Sequence, residues 1–139
     1  MSFVFTKSKI KNKIKKIKGT DNRKQFGKQG EIQSISYLKK QGFKILETNY
    51  RIRMAEIDII ARDKDTICFI EVKTRRNTRK GLPREAVTWT KQNKIIQAAL
   101  TYIQKAGLAE SKARFDVIEV QQINEKFSFN LIKNAFQAE

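Results

Sequence analysis

Glu56 to Arg75 reads EIDIIARDKDTICFIEVKTR, and this stretch decides the fold. Two apolar runs flank the polar tetrapeptide DKDT at 63–66, the pattern of two strands joined by a tight turn. Strands joined this way are antiparallel and lie about 4.8 Å apart. Three charges, Asp58, Glu71 and Lys73, interrupt the apolar runs. Charged side chains rarely become buried unless they are paired or bound to metal. Either the three form a salt bridge or they form a site.

Side chains alternate across a strand. Glu71 and Lys73 therefore point one way, and Cys68, Ile70 and Val72 the other. Antiparallel pairing can set Asp58 beside Glu71. Two carboxylates that close repel, and without a cation one is driven towards protonation. A divalent cation removes the conflict. Mg²⁺, or Mn²⁺, suits such a site because it accepts one or two carboxylates and keeps places for water and phosphate oxygens. Water on such an ion becomes a competent nucleophile near neutral pH. Lys73 brings a compact positive charge to the same spot, suited to a phosphate in reaction. The alternative is an ordinary cross-strand Asp–Lys or Glu–Lys pair, worth about 0.2–1 kcal/mol. Glu31 offers a third carboxylate from a helix that must pack on this sheet.

Outward from this hairpin, a helix is expected from Asp21 or Asn22 to about Gln41, ended by Gly42, with Phe26, Gly30, Tyr37 and Leu38 on its buried side. FKILETNY (43–50) reads as a first strand, AEIDIIAR as a second and TICFIEVKT as a third. A second helix spans about Thr90 to Ala106, with an apolar stripe of Ile95, Ile96, Ala99, Tyr102 and Ile103, and Gly107 ends it. ARFDVIEVQ (113–121) is a fourth strand and KFSFNLIK (126–133) a weaker fifth. The order α-β-β-β-α-β-β implies an α/β domain with a mixed sheet flanked by helices.

The chain has 139 residues, enough for one domain with a real core. Thirty Lys and Arg against fourteen Asp and Glu leave a formal charge of +16, which points to a polyanionic partner. No histidine occurs, so Ser-His-Asp and Cys-His catalysis and all His-ligated metal sites are excluded. The single cysteine, Cys68, cannot form a disulfide within the chain and reads as a small core residue. No segment approaches the roughly 20 apolar residues of a membrane span, and MSFVF followed by lysines lacks signal-peptide order, so a cytoplasmic location is expected. Residues 1–20 read as a basic tail, with seven lysines before Gly19 and no acid until Asp21; residues 21–139 read as a single domain. Phe3, Val4 and Phe5 also permit attachment of the tail to anionic lipid. The loop after the third strand carries Arg75, Arg76, Arg79 and Lys80, candidates for phosphate contacts. Lys91 joins them, although its ordinary reading, a solvated helix lysine, outweighs a phosphate contact.

Asp58 with Glu71-Val72-Lys73 resembles the PD-(D/E)XK nuclease superfamily, the restriction-endonuclease-like fold. More closely, the chain resembles the YraN-like family of small bacterial proteins, through GKQGE (27–31), NYR (49–51), EIDII (56–60), FIEVKTR (69–75), GLPREAV (81–87), KQNKI (91–95) and RFDVIEV (114–120), in that order. The resemblance implies a nuclease-like fold related to archaeal Holliday junction resolvases. By position it casts Asp58, Glu71 and Glu31 as metal ligands and Lys73 as the catalytic lysine. Ala55 and Ile57 depart from the pattern, which has Gly and Pro there, and a methyl at 55 can alter a bulge. Glu56 lies out of phase with Asp58 and reads as a pairing partner; Asp116 reads as structural, held by an arginine. Trp89 and Tyr50 could stack on a base, but a lone aromatic more commonly packs. The expectation is a Mg²⁺- or Mn²⁺-dependent nuclease acting on DNA, branched or damaged DNA included. The alternative is a nucleic-acid-binding module without catalysis. A junction-cutting enzyme needs two active sites, which suits a homodimer, but no interface is legible.

Overall fold

The structure, a computed structural model, describes residues 22–75 and 87–138. The N-terminal lysine segment and Arg76, Arg79 and Lys80 lie outside the described residues. Among the described residues seven elements follow the expected order: α1 (Asn22–Lys40), β1 (Lys44–Ile52), β2 (Ala55–Asp63), β3 (Thr66–Arg75), α2 (Trp89–Ala106), β4 (Lys112–Ile123) and β5 (Lys126–Phe136). The strands form one sheet in the order β1-β2-β3-β4-β5. Hairpins make β1–β2, β2–β3 and β4–β5 antiparallel, and the crossover through α2 makes β3–β4 parallel.

The helices cover opposite faces. Ile35 and Leu38 of α1 join Ile59, Cys68, Ile70, Ile118 and Val120 in one apolar cluster. Ile95, Ala98, Ala99 and Tyr102 of α2 join Ile60, Phe69, Phe115 and Val117 in the other. Cys68 and Ile70 thus face α1 while Phe69 faces α2, the alternation expected of β3. Cys68 is fully buried, and burial pushes its thiol up to about 12, with Asp116 adding to the rise, so it is an inert core residue.

Caps end the helices where expected. The N–H of Gly42, at φ 94°, bonds Lys39 O at 3.0 Å, and the N–H of Phe43 bonds Leu38 O at 2.9 Å. Gly107, at φ 68°, closes α2. Gly30 has a different use. A Cβ there would lie 2.1 Å from Thr74 Cγ2, so only glycine lets α1 approach β3 this closely. That contact carries Glu31 onto the end of the sheet. Tyr37 is half-buried and stacks on Phe129 with centroids 4.6 Å apart.

β5 runs three residues beyond its expected end. A bulge between Phe115 and Val117 frees the N–H of Asn134, which donates to Asp116 Oδ1 at 2.9 Å. Ala55, where a bulge was in question, pairs regularly with Ile52; the irregularity of β1–β2 lies at Ile45/Glu47. Among the described residues no helix is long and apolar enough to cross a membrane.

Candidate functional site

The β2–β3 ladder is paired from Asp63↔Thr66 to Ile59↔Ile70. One further step would set Asp58 opposite Glu71, but there the pairing ends. The N–H of Val72 turns to a side chain and donates to Asp58 Oδ2 at 2.8 Å. The strands part at this point, and the acids stand in the opening. Glu71 is 5 % exposed. Burial raises the Asp58 carboxyl well above its usual range, and the charge of Glu71 raises it further; the Val72 hydrogen bond only partly offsets this, while the Glu31 charge adds to it. The expected conflict between two neighbouring carboxylates is therefore present, with a third acid contributing.

Glu31 arrives from α1, almost fully buried. Its Oε1 accepts a hydrogen bond from Asn49 Nδ2 at 2.7 Å, and Lys28 Nζ lies 3.6 Å from its Oε2. Asn49 Nδ2 also donates to Glu56 Oε1 at 2.9 Å, and Arg51 Nε donates to Glu56 Oε2 at 3.1 Å. Glu56 is a pairing partner, as its strand phase implies. Asn49 was given no role by sequence. It sits at φ 51°, a left-handed conformation that asparagine tolerates, and an asparagine in the middle of a strand is itself the available signal.

Two lysines reach the acids. Lys73 Nζ lies 3.8 Å from Glu71 Oε1; burial and the neighbouring Lys91 charge lower its pKa. Lys91 Nζ lies 2.5 Å from the same oxygen. Burial pulls the Lys91 pKa down, but the hydrogen bond and charge of Glu71 outweigh it and leave the ammonium more firmly protonated than usual. Lys91 is thus no ordinary solvated helix lysine. Arg75, read as a phosphate contact, is instead engaged: its Nε donates to Glu119 Oε2 at 2.9 Å, and both side chains are 14 % exposed.

The acids form a wall between two clefts. The larger, about 680 Å³, is lined by Lys24, Lys28, Glu31, Arg51 and Lys73 among others; the smaller, about 340 Å³, by Met54, Ala55, Thr88, Thr90 and Lys94 among others. Asp58, Glu71 and Lys91 line both. An acidic centre is ringed by cations. Its donors are all hard oxygens, a chemistry that fits Mg²⁺ or Mn²⁺. Among the described residues no group of three acids stands ready-made around a single ion position, and the Lys91 ammonium holds the cation place on Glu71.

Asp116, the other acid in an apolar strand, is not part of the site. Arg114 Nε donates to both its oxygens at 3.0 Å, as expected of a structural acid.

A family profile described as "Uncharacterised protein family UPF0102" matches residues 30–120, which take in every acid of the site. Similar chains include a UPF0102 protein of Desulfosudis oleivorans, 48 % identical over 85 % of this chain and 94 % of its own length. One of Caldicellulosiruptor saccharolyticus is 44 % identical over 83 % of this chain and 99 % of its own, and one of Clostridium botulinum is 50 % identical over 82 % and 95 %. With a profile spanning most of the fold and bacterial relatives aligned nearly end to end, the chain belongs to the UPF0102 family.

Proposed function

We propose that this protein is a divalent-metal-dependent nuclease that hydrolyses phosphodiester bonds in DNA. One observation carries the reading: Asp58 and Glu71 lie together where β2 and β3 part, Glu71 buried and Asp58 half-buried, with a charge conflict that burial worsens. Lysines reach Glu71, but Asp58 keeps a raised carboxyl, and both acids stand at the junction of two clefts. The likeness of Asp58 and Glu71-Val72-Lys73 to the PD-(D/E)XK pattern supports the same reading.

Asp58 and Glu71 would hold the ion, with Glu31 as the third acid. When bound, Mg²⁺ or Mn²⁺ supplies Lewis acidity, lowering the pKa of water and taking up phosphate charge. The remaining work falls to the chain. Lys73, half-buried beside Glu71, stabilises negative charge building on the phosphate oxygens. Lys24, Lys28 and Arg51 line the larger cleft and hold the sugar-phosphate backbone, which positions the strand without reading its sequence. The Val72 N–H fixes one Asp58 oxygen and so orients the carboxyl.

A second reading is a binding module with no catalysis. The Lys91 ammonium on Glu71 favours it, since it already neutralises part of the acid cluster. Incubation of single-stranded, duplex, flap and four-way DNA with Mn²⁺ separates the two. Cleavage of at least one substrate that EDTA stops is the expected result. Binding without cleavage of any substrate would leave only the second reading.

A further inference from the structure

Of the two aromatics that sequence suggested for base stacking, Tyr50 is packed, edge-on to Tyr102 with centroids 5.3 Å apart. Trp89 is not: it is 75 % exposed. Its backbone nonetheless stands on a rigid base. Thr88 caps α2 by accepting the Lys91 N–H at 3.2 Å, Gln92 Nε2 donates to Val87 O at 2.9 Å, and Val87 is buried. Both chain neighbours of Trp89, Thr88 and Thr90, line the smaller cleft, whose wall includes Asp58 and Glu71. Met54, 65 % exposed, lines the same cleft from the β1–β2 turn. Lys91 and Lys94 supply positive charge to the cleft. A fixed backbone holding a large indole in water, beside cations and a cleft of about 340 Å³, is the combination that receives a nucleobase with its phosphate.

We infer that the smaller cleft and Trp89 form a subsite for an unpaired nucleotide next to the reacting phosphate. The base stacks on the indole, Met54 closes the apolar rim, and Lys94 meets the flanking phosphate. This rests on the nuclease reading and narrows it: the favoured substrate carries an unstacked base at the cleavage point, as single strands, flaps and junctions do. A continuous duplex keeps its bases stacked and gains less from Trp89.

Trp89 is the only tryptophan in the chain, so intrinsic fluorescence reports on this position alone. In EDTA, which prevents cleavage, the full chain is titrated with a short single-stranded oligonucleotide, a blunt duplex of equal length, inorganic polyphosphate and vesicles containing phosphatidylglycerol. Filter binding measures affinity in parallel. Single strand should quench the indole, while polyphosphate should bind without quenching. Trp89→Ala should weaken single-strand binding by roughly 10- to 100-fold and duplex binding by much less, and Trp89→Phe should retain most of the affinity. Circular dichroism checks that both variants fold. Single-strand binding without quenching, or an unchanged single-strand preference in Trp89→Ala, overturns the subsite and leaves the nuclease reading standing. Absence of any nucleic-acid binding removes both. Quenching by vesicles but not by DNA overturns the subsite in favour of a membrane-facing rim.

Discussion

Strand β2 carries two aspartates with opposite fates. Burial drives the Asp58 carboxyl well above its usual range, whereas the Arg114 hydrogen bond holds Asp63 below it. Around Asp63, acids and cations balance: Arg114 Nη2 donates to it at 2.9 Å and Lys133 Nζ at 3.2 Å, while Arg114 also holds the fully buried Asp116. This network ties β2 to β4 and β5. Around Asp58 the charges of Glu71 and Glu31 push the carboxyl up, and the Lys91 ammonium sits on Glu71 instead. Buried charge with matched partners is architecture; buried charge left in conflict at the junction of two clefts invites a ligand.

The sharpest way to break this contrast is to remove the conflict. Asp58→Asn and Glu71→Gln should each abolish Mn²⁺-dependent cleavage, read on labelled DNA; wild-type-like cleavage by either would end the site assignment. Without metal, Asp58→Asn should stabilise the fold. A carboxyl whose pKa rises on folding binds its proton more tightly in the folded chain, so stability falls as pH rises from the unfolded towards the folded value. In EDTA at pH 7–8 the melting temperature of Asp58→Asn should therefore exceed wild type by roughly 2–5 °C, and its advantage should vanish in acid.

The balanced cluster should respond the other way. Arg114→Met strands Asp116 in the core and should cost about 3–5 kcal/mol in urea unfolding; replacing both Arg114 and Asp116 with apolar residues should recover part of this. Asp63 has a lowered pKa, so its stabilisation is present above the unfolded value and is lost as pH falls through the folded one. A loss under 1 kcal/mol in Arg114→Met would erase the distinction between the clusters.

Next in size is Lys73→Ala, expected to lower the cleavage rate by roughly 10²–10³ while Mn²⁺ affinity by calorimetry holds. Lys73→Arg should not restore the rate, since a planar fork does not replace a point charge. Simple unfolding of Lys73→Ala would recast the lysine as a salt-bridge partner. The smallest effect concerns Lys91. Its side chain is 45 % exposed, so Lys91→Met should tighten Mn²⁺ binding only about two- to fivefold, and Lys91→Arg should leave it unchanged. Weaker Mn²⁺ binding in Lys91→Met would show that the ammonium does not compete for Glu71.

The β2–β3 hairpin was legible because its signals are local: period-two apolarity, the DKDT turn, and a register that two-residue arithmetic carries from Asp63↔Thr66 to Asp58 and Glu71. What depended on distant packing was not. The apolar stripe of α2 was legible, Ile95, Ala99 and Tyr102 included, but not where the helix docks on the sheet, and it is the docking that brings Lys91 to Glu71. Arg75 stood among basic neighbours in sequence, yet the parallel β3–β4 register brings Glu119 to it. The end of β5 escaped because the bulge opposite Asp116, with Asn134 at φ 54°, breaks the alternation that marks a strand. Exposure of Trp89 has no signature in the sequence at all.

The two acid clusters also differ in how far apart their members lie along the chain. The bond that marks the site, Val72 to Asp58, spans 14 residues and is made within one hairpin. In the balanced network, Arg114 and Lys133 reach Asp63 across 51 and 70 residues. Loop-closure entropy grows with the logarithm of separation, so a 70-residue contact costs about 1.4 kcal/mol more to close than a 14-residue one. The repelling carboxylates are therefore the cheap contact to assemble and the arginine lock the expensive one. A hairpin forms in about 1–10 μs, well before contacts of high sequence separation dominate. The β4–β5 side, remote in sequence, adds the ion pairs that tie the far end of β2 to the rest of the sheet.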